Sequence, residues 1–148
     1  MATANVDLVS TLDEEACWAL LARGELGRLA LSVDGMPEIF PVNYVADGPR
    51  LLFRTAPGSK LDDLTANPHV AFEVDEFDGT SAASVIVKGT AAQLRLQREI
   101  DQADELPLRP WIPTLKYRWV RIVPTSISGR RFDRGVEPER YVATFGGR

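Results

Sequence analysis

The chain has 148 residues, 45% of them hydrophobic and 26% charged, with 21 acidic against 17 basic side chains and a formal net charge of −4. That length suits a single domain spanning 1–148 with a core of its own, and the acidic excess argues against nucleic acid as a partner, because phosphate backbones are bound by basic faces. One cysteine excludes an internal disulfide, and the absence of a signal-peptide pattern or of the ~18 apolar residues of a spanning helix points to a cytoplasmic protein without a membrane partner.

Met1 to Ser10 reads as a loose lead-in. Thr11-Leu12-Asp13-Glu14 fits a capping box, with Thr11 as cap and Glu14 three residues on. The helix it opens is expected to run to about Arg23, with Gly24 as its stop. Leu12, Ala16, Trp18, Ala19 and Leu20 are its expected apolar face. Cys17 reads as a small buried hydrophobe, since no histidine lies nearby in sequence to activate a thiol.

Three strands follow. Gly27 to Val33 alternates, with Leu29, Leu31 and Val33 on one side, and Asp34-Gly35 is a strong hairpin turn. Pro37 to Ala46 is the second strand; Pro41 inside it implies an edge, a bulge or interrupted pairing. Asp47-Gly48-Pro49 turns the chain into the third, Arg50 to Thr55.

The stretch Leu51 to Leu64, LLFRTAPGSKLDDL, carries the most chemistry. A strand ends in Arg54-Thr55, Ala56-Pro57-Gly58 turns, and Ser59-Lys60 opens a helix with Leu61 and Leu64 as apolar positions. A helix N-terminus has unpaired N–H groups and partial positive charge, which favour an anion. Ser59 is the expected cap, Lys60 a point charge and Arg54 a planar fork. Together they read as a phosphate seat; the plainer reading is a strand-to-helix connection with solvated cations. The helix should stop near Asn67-Pro68.

His69 to Phe77 is the fourth strand, alternating Val70, Phe72 and Val74 with Ala71, Glu73 and Asp75. His69 lacks partners at metal-ligand spacing and reads as a surface residue. Asp75, Glu76 and Asp78 form a solvated acidic turn with Gly79, without the spacing of a calcium loop. The fifth strand lies in Ala83 to Leu96, with Gly89 marking a bulge, and Leu94 to Glu105 turns helical. Three prolines make Leu106 to Thr114 irregular, with Trp111 inside it. Lys116 to Val123 is the sixth strand, with Tyr117, Trp119, Arg121 and Val123 on one face. The tail from Ile127 carries Gly129-Arg130-Arg131-Phe132 and fades into polar and glycine residues. Six short, turn-punctuated strands with few helices predict a mainly β protein, a small antiparallel barrel.

GRLALSVDGMPEIFPVNY (Gly27 to Tyr44), LLFRTAPGSK (Leu51 to Lys60), NPHVAFEVD (Asn67 to Asp75), SVIVKG (Ser84 to Gly89) and WVRIVP (Trp119 to Pro124) occur in this order. The chain resembles the FMN-binding split-barrel proteins grouped around pyridoxamine 5'-phosphate oxidase, in their short actinobacterial form, over about residues 12–132. The resemblance implies a split β-barrel, a homodimer and two flavin sites at the subunit interface. It implies that Arg54, Thr55, Ser59 and Lys60 hold the flavin phosphate and that Pro41, Val42, Asn43 and Tyr44 run beside the isoalloxazine ring. It offers Trp111, Trp119 and Arg121 as residues facing the site or the dimer contact, the plainer role of the tryptophans being packing.

A flavin performs the redox chemistry itself, so the protein need only anchor the phosphate, fix the ring and exclude water. No Ser-His-Asp set, cysteine pair or carboxylate dyad is needed. Ala83 stands where short relatives often carry Trp, and Arg54 stands where relatives linked to nitroimidazole resistance tend to carry His, which lowers the haem and nitroimidazole readings. The substrate-binding residues of a true pyridoxamine phosphate oxidase find no match. The leading expectation is an FMN-dependent oxidoreductase passing hydride through flavin N5 to a small-molecule acceptor. Its alternatives are a deazaflavin-dependent reductase using Arg121, Arg130 and Arg131 as further cations, and a non-catalytic flavin or haem carrier or sensor.

Overall fold

A computed structural model describes residues 9–111 and 118–133. Ten elements follow one another: β1 (Val9–Leu12), α1 (Glu14–Arg23), β2 (Leu26–Val33), β3 (Met36–Asp47), β4 (Arg50–Thr55), α2 (Ser59–Ala66), β5 (His69–Phe77), β6 (Ser81–Gln93), α3 (Gln97–Asp104) and β7 (Arg118–Asp133). The strands form one antiparallel sheet in the order β1-β7-β4-β3-β2-β5-β6, and β6 pairs back onto β7. That last pairing closes six strands into a barrel, as the alternating pattern predicts.

β7 is the strand that both closes and splits the barrel. Along one edge it pairs with β6 from Gln93↔Val120 to Ser81↔Asp133. Its other edge is shared: β4 takes Arg118 to Ile122, and β1 takes Gly129 to Phe132. The polar tail expected from Ile127 is therefore strand as far as Asp133. Backbone pairing to β6 and β1 outweighs its weak apolar pattern. The loose lead-in is likewise corrected: Val9 to Leu12 is a strand, because β7 offers it an unpaired edge.

Helix α1 corrects the expected capping box. Thr11 is spent in β1, and Asp13 is the cap, its carboxylate accepting from the Ala16 N–H at 2.8 Å. The buried face is Cys17, Leu20 and Leu21, with Ala19 left exposed. Gly24 does follow the helix, but in extended conformation. Glycine is required there by crowding: a Cβ would come within 2.4 Å of the Tyr44 hydroxyl.

The hairpins follow their turn chemistry. Asp34 and Gly35 both take positive φ, 51° and 79°, as a two-residue type I′ connection needs. Pro41 sits opposite Arg28 of β2, while β3 meets β4 only from Tyr44 onward. The missing proline N–H therefore falls on the stretch of β3 that β4 leaves open. The bulge lies between Lys88 and Gly89, where a Cβ on Gly89 would meet the Val123 carbonyl oxygen at 2.2 Å.

The barrel interior is filled by alternate residues, including Leu29, Leu51, Phe53, Phe72, Val85, Val87, Val120 and Ile122. Tyr44 packs edge-on to Phe72, with centroids 5.0 Å apart. A second, smaller cluster of Leu52, Leu94, Ala103 and Trp119 lies outside the barrel wall. Val45, Ile100, Leu106 and Leu108 pack against it, which fixes α3 and the segment behind it to the outer face of β3, β4 and β7.

Candidate functional site

Alternation along β4 decides the site. Leu51, Phe53 and Thr55 are buried on the barrel side, and Leu52 and Arg54 take the other face. Arg54 lies 5.3 Å from the centroid of the Trp119 ring, its partner in the β4–β7 register, as a cation stacked on an indole. Its Nε is buried without a hydrogen-bond partner. A buried, unpaired guanidinium N–H costs free energy that an acceptor at the site would recover.

Chain geometry brings Lys60 to the same place. Gly58, with φ 156°, precedes α2 in a conformation that side chains rarely adopt, and it occupies the cap position without a side-chain hydrogen bond. Ser59 is thus not the cap that its residue type suggests; it is the first helical residue. Lys60 follows it, with Nζ 4.8 Å from the Phe40 ring centroid. Val42, Asn43, Arg54 and Lys60 converge on one pocket. Two residues absent from the sequence expectation complete it, Leu108 and Pro110. Nothing in their local pattern marks them, because the packing of α3 brings them from 54 and 56 residues beyond Arg54.

The other candidates are placed differently. Thr55 is buried and its hydroxyl donates to the Ala56 carbonyl at 3.2 Å. Tyr44 turns into the core and donates to the Leu21 carbonyl at 2.6 Å; burial raises its pKa well above the ordinary phenol value. Pro41 is exposed on β3. Trp119 lies beneath Arg54 and donates from Nε1 to Asp104 Oδ1 at 2.7 Å. Arg121 is tied to Glu99 of α3 by an ion pair that holds the Glu99 carboxyl below its ordinary pKa. Trp111 keeps an exposed ring, while its backbone N–H donates to Asn43 Oδ1 at 2.8 Å. Asn43 in turn donates through Nδ2 to the Glu25 carbonyl at 3.2 Å. Tyr117 lies outside the described residues.

The donor set suits a phosphate. A planar fork with an unpaired buried N–H and the ammonium of Lys60, from the first turn of α2, line one pocket, which Val42, Leu108 and Pro110 give an apolar side. A family model described as pyridoxamine 5'-phosphate oxidase matches residues 13–131. The chain belongs to that family. The fold is similar to that of a Corynebacterium glutamicum protein carrying a provisional pyridoxamine 5'-phosphate oxidase assignment, with TM-score 0.80 and 43% identity over 88% of this chain and 98% of the other. The FAD binding protein from Mycobacterium smegmatis is 39% identical with TM-score 0.75, over 84% of this chain and 99% of its own. An FAD-binding protein from Mesorhizobium loti is 29% identical with TM-score 0.74, over 84% and 98%. Family members with known structures thus include flavin-binding proteins of the same split-barrel architecture.

Proposed function

We propose that this family member binds FMN and acts as an oxidoreductase, passing hydride through the flavin to a small acceptor. The observation that carries the reading is the orphaned Arg54 Nε, buried on Trp119 and facing a pocket it shares with Lys60. When bound, FMN supplies the two-electron chemistry, exchanging hydride at N5. The chain's own residues do the rest. Arg54 contributes a fixed fork to the phosphate, held in plane by the Trp119 ring beneath it. Lys60 adds charge at the start of α2. Val42 and Asn43 present the β3 wall along which the ring would lie. Trp111, exposed beside this pocket, supplies apolar surface to a second copy in a homodimer.

Arg121, which a bulkier acidic deazaflavin tail would need, is committed to Glu99, and Arg131 donates to the Ser81 hydroxyl at 3.4 Å. The Glu99 pairing removes one of the three cations that the deazaflavin alternative needs, while Arg130 stays exposed on β7.

The test is a titration of FMN and riboflavin into wild type and Lys60→Ala, followed by flavin fluorescence quenching. A charge-assisted hydrogen bond contributes about 1.5–3 kcal/mol, so FMN should weaken roughly 10- to 150-fold in the variant. Riboflavin, which lacks the phosphate, should bind both proteins alike. Unchanged FMN affinity would return the stretch to an ordinary turn; equal weakening of both ligands would move Lys60 from the phosphate to the ring or the fold.

A further inference from the structure

The ends of β1, β5, β6 and β7 carry an apolar row that the flavin reading does not use. Cross-strand pairing sets Val9 opposite Phe132, Phe132 opposite Ala82 and Ala82 opposite Phe77, so the four share one face of the sheet. Phe77 is 72% exposed and Val9 50%. Two clefts of about 310 and 350 Å³ open beside the row, and both are lined by Glu76, Phe77 and Ala83. The larger also takes in Ala82 and Phe132, and the smaller Ser81 and Arg131. Among the described residues they share no lining with the pocket of Arg54 and Lys60. A contiguous exposed apolar row beside clefts of this size marks an interaction surface. Its rim holds Asp75, Glu76 and Asp78 beside Arg131; Arg23 pairs with Glu76, and Arg28 lies 3.7 Å from Asp75.

We propose that the occupant of this surface is the chain's own segment 134–148, with Tyr141 and Phe145 seated on Phe77 and Phe132. The proposal does not depend on the flavin reading. β7 ends at Asp133, one residue after Phe132 and opposite Ser81 of the smaller cleft, so the segment leaves the sheet at the surface it would cover. From Asp133 to Tyr141 or Phe145 an extended chain spans roughly 26 to 43 Å. Phe132 and Phe77 stand two strand spacings apart, about 10 Å, well within that reach. Tethering over so short a distance gives an effective concentration on the order of millimolar, an advantage that a separate partner of equal affinity lacks. The segment also has matching chemistry. Tyr141, Ala143 and Phe145 recur at every second residue, the period of one face of an extended chain, and Arg140 stands beside them for the carboxylate rim.

Limited trypsin digestion of the full-length protein under native conditions tests this, with cleavage after Arg140 followed by mass spectrometry. Wild type is compared with Phe77→Ser, Phe145→Ser and the double variant. Each single variant should raise the cleavage rate about ten-fold or more, because cleavage tracks the open population and burial of an aromatic side chain accounts for at least that factor. The double variant should be cleaved no faster than the faster single one, since both changes remove one contact. Wild type cleaved as fast as the single variants overturns the proposal, and so do effects that multiply in the double variant. Protection that is lost on dilution overturns it too, because it assigns the segment to a second copy. If Phe77→Ser unfolds, Phe145→Ser decides by itself: a rate equal to that of wild type overturns the proposal.

Discussion

Phe53 and Arg54 are neighbours on β4 and live in different surroundings. Phe53 is fully buried among the barrel's inner residues. Arg54 lies across the wall, under the segment that follows α3, with a buried N–H that finds no partner. Among the described residues the inside of the barrel is apolar but for the Tyr44 and Thr55 hydroxyls, which both find backbone acceptors. The outer face of β3, β4 and β7 holds an ion pair, a stacked cation and the Asn43 side chain bonded to the Trp111 N–H. On the proposed reading, the difference teaches that stability and flavin binding are separated by a single step of strand alternation, so that each is expected to break without the other.

The largest separation should come from substituting those two residues. Phe53→Ala removes a fully buried ring and should cost about 3–5 kcal/mol, read as a lower urea midpoint. Arg54→Ala should change stability by less than about 1 kcal/mol, because it loses a stacking contact but also removes an unpaired buried N–H. FMN affinity should show the reverse order for any protein that stays folded. A strongly destabilised Arg54→Ala would break the comparison, since it would make the outer face part of the structural core.

A smaller effect should show how α3 is held to that face. Trp119→Phe keeps the ring under Arg54 and removes the Nε1–H bond to Asp104. The expected loss is about 1 kcal/mol, because exposed Asp104 regains water. FMN affinity should fall as well if the position of α3 sets the wall of the pocket; a stability loss without any change in binding would detach the two.

The smallest effect is in pH. Arg121 holds the Glu99 carboxyl below its ordinary value of 4.5. A depressed carboxylate adds stability above the ordinary value and loses it as pH falls through the depressed one. Acid unfolding followed by circular dichroism should therefore begin at higher pH in Glu99→Gln, which lacks the pair at every pH. Identical acid transitions for the two proteins would show that the pair contributes nothing.

Much of the barrel was legible because local rules carried it. Asp34-Gly35 can take positive φ at both positions, so the first hairpin follows from two residues. Alternation in His69–Phe77 matches β5 residue for residue, and Gly89 marks the bulge that its missing Cβ allows. Arg54 and Lys60 were legible as a pair because strand, turn and helix join them within seven residues.

Contacts between distant segments were not. Val9–Leu12 and the end of β7 have weak patterns of their own, and each is strand because the other supplies its hydrogen bonds. Thr11 matches a capping box, but β1 takes it and leaves the cap to Asp13. Arg121 reads as a free cation until α3 brings Glu99 to it. Leu108 and Pro110 enter the pocket, and Asn43 meets the Trp111 N–H, only when the second cluster packs α3 against the barrel. Sequence by itself determined the strands, their turns and the two cations, because alternation, backbone conformation and charge are properties of neighbouring residues. Tertiary structure alone decided which cation is paired, which is orphaned and what closes over it, because burial and partners depend on segments that meet only in the folded chain.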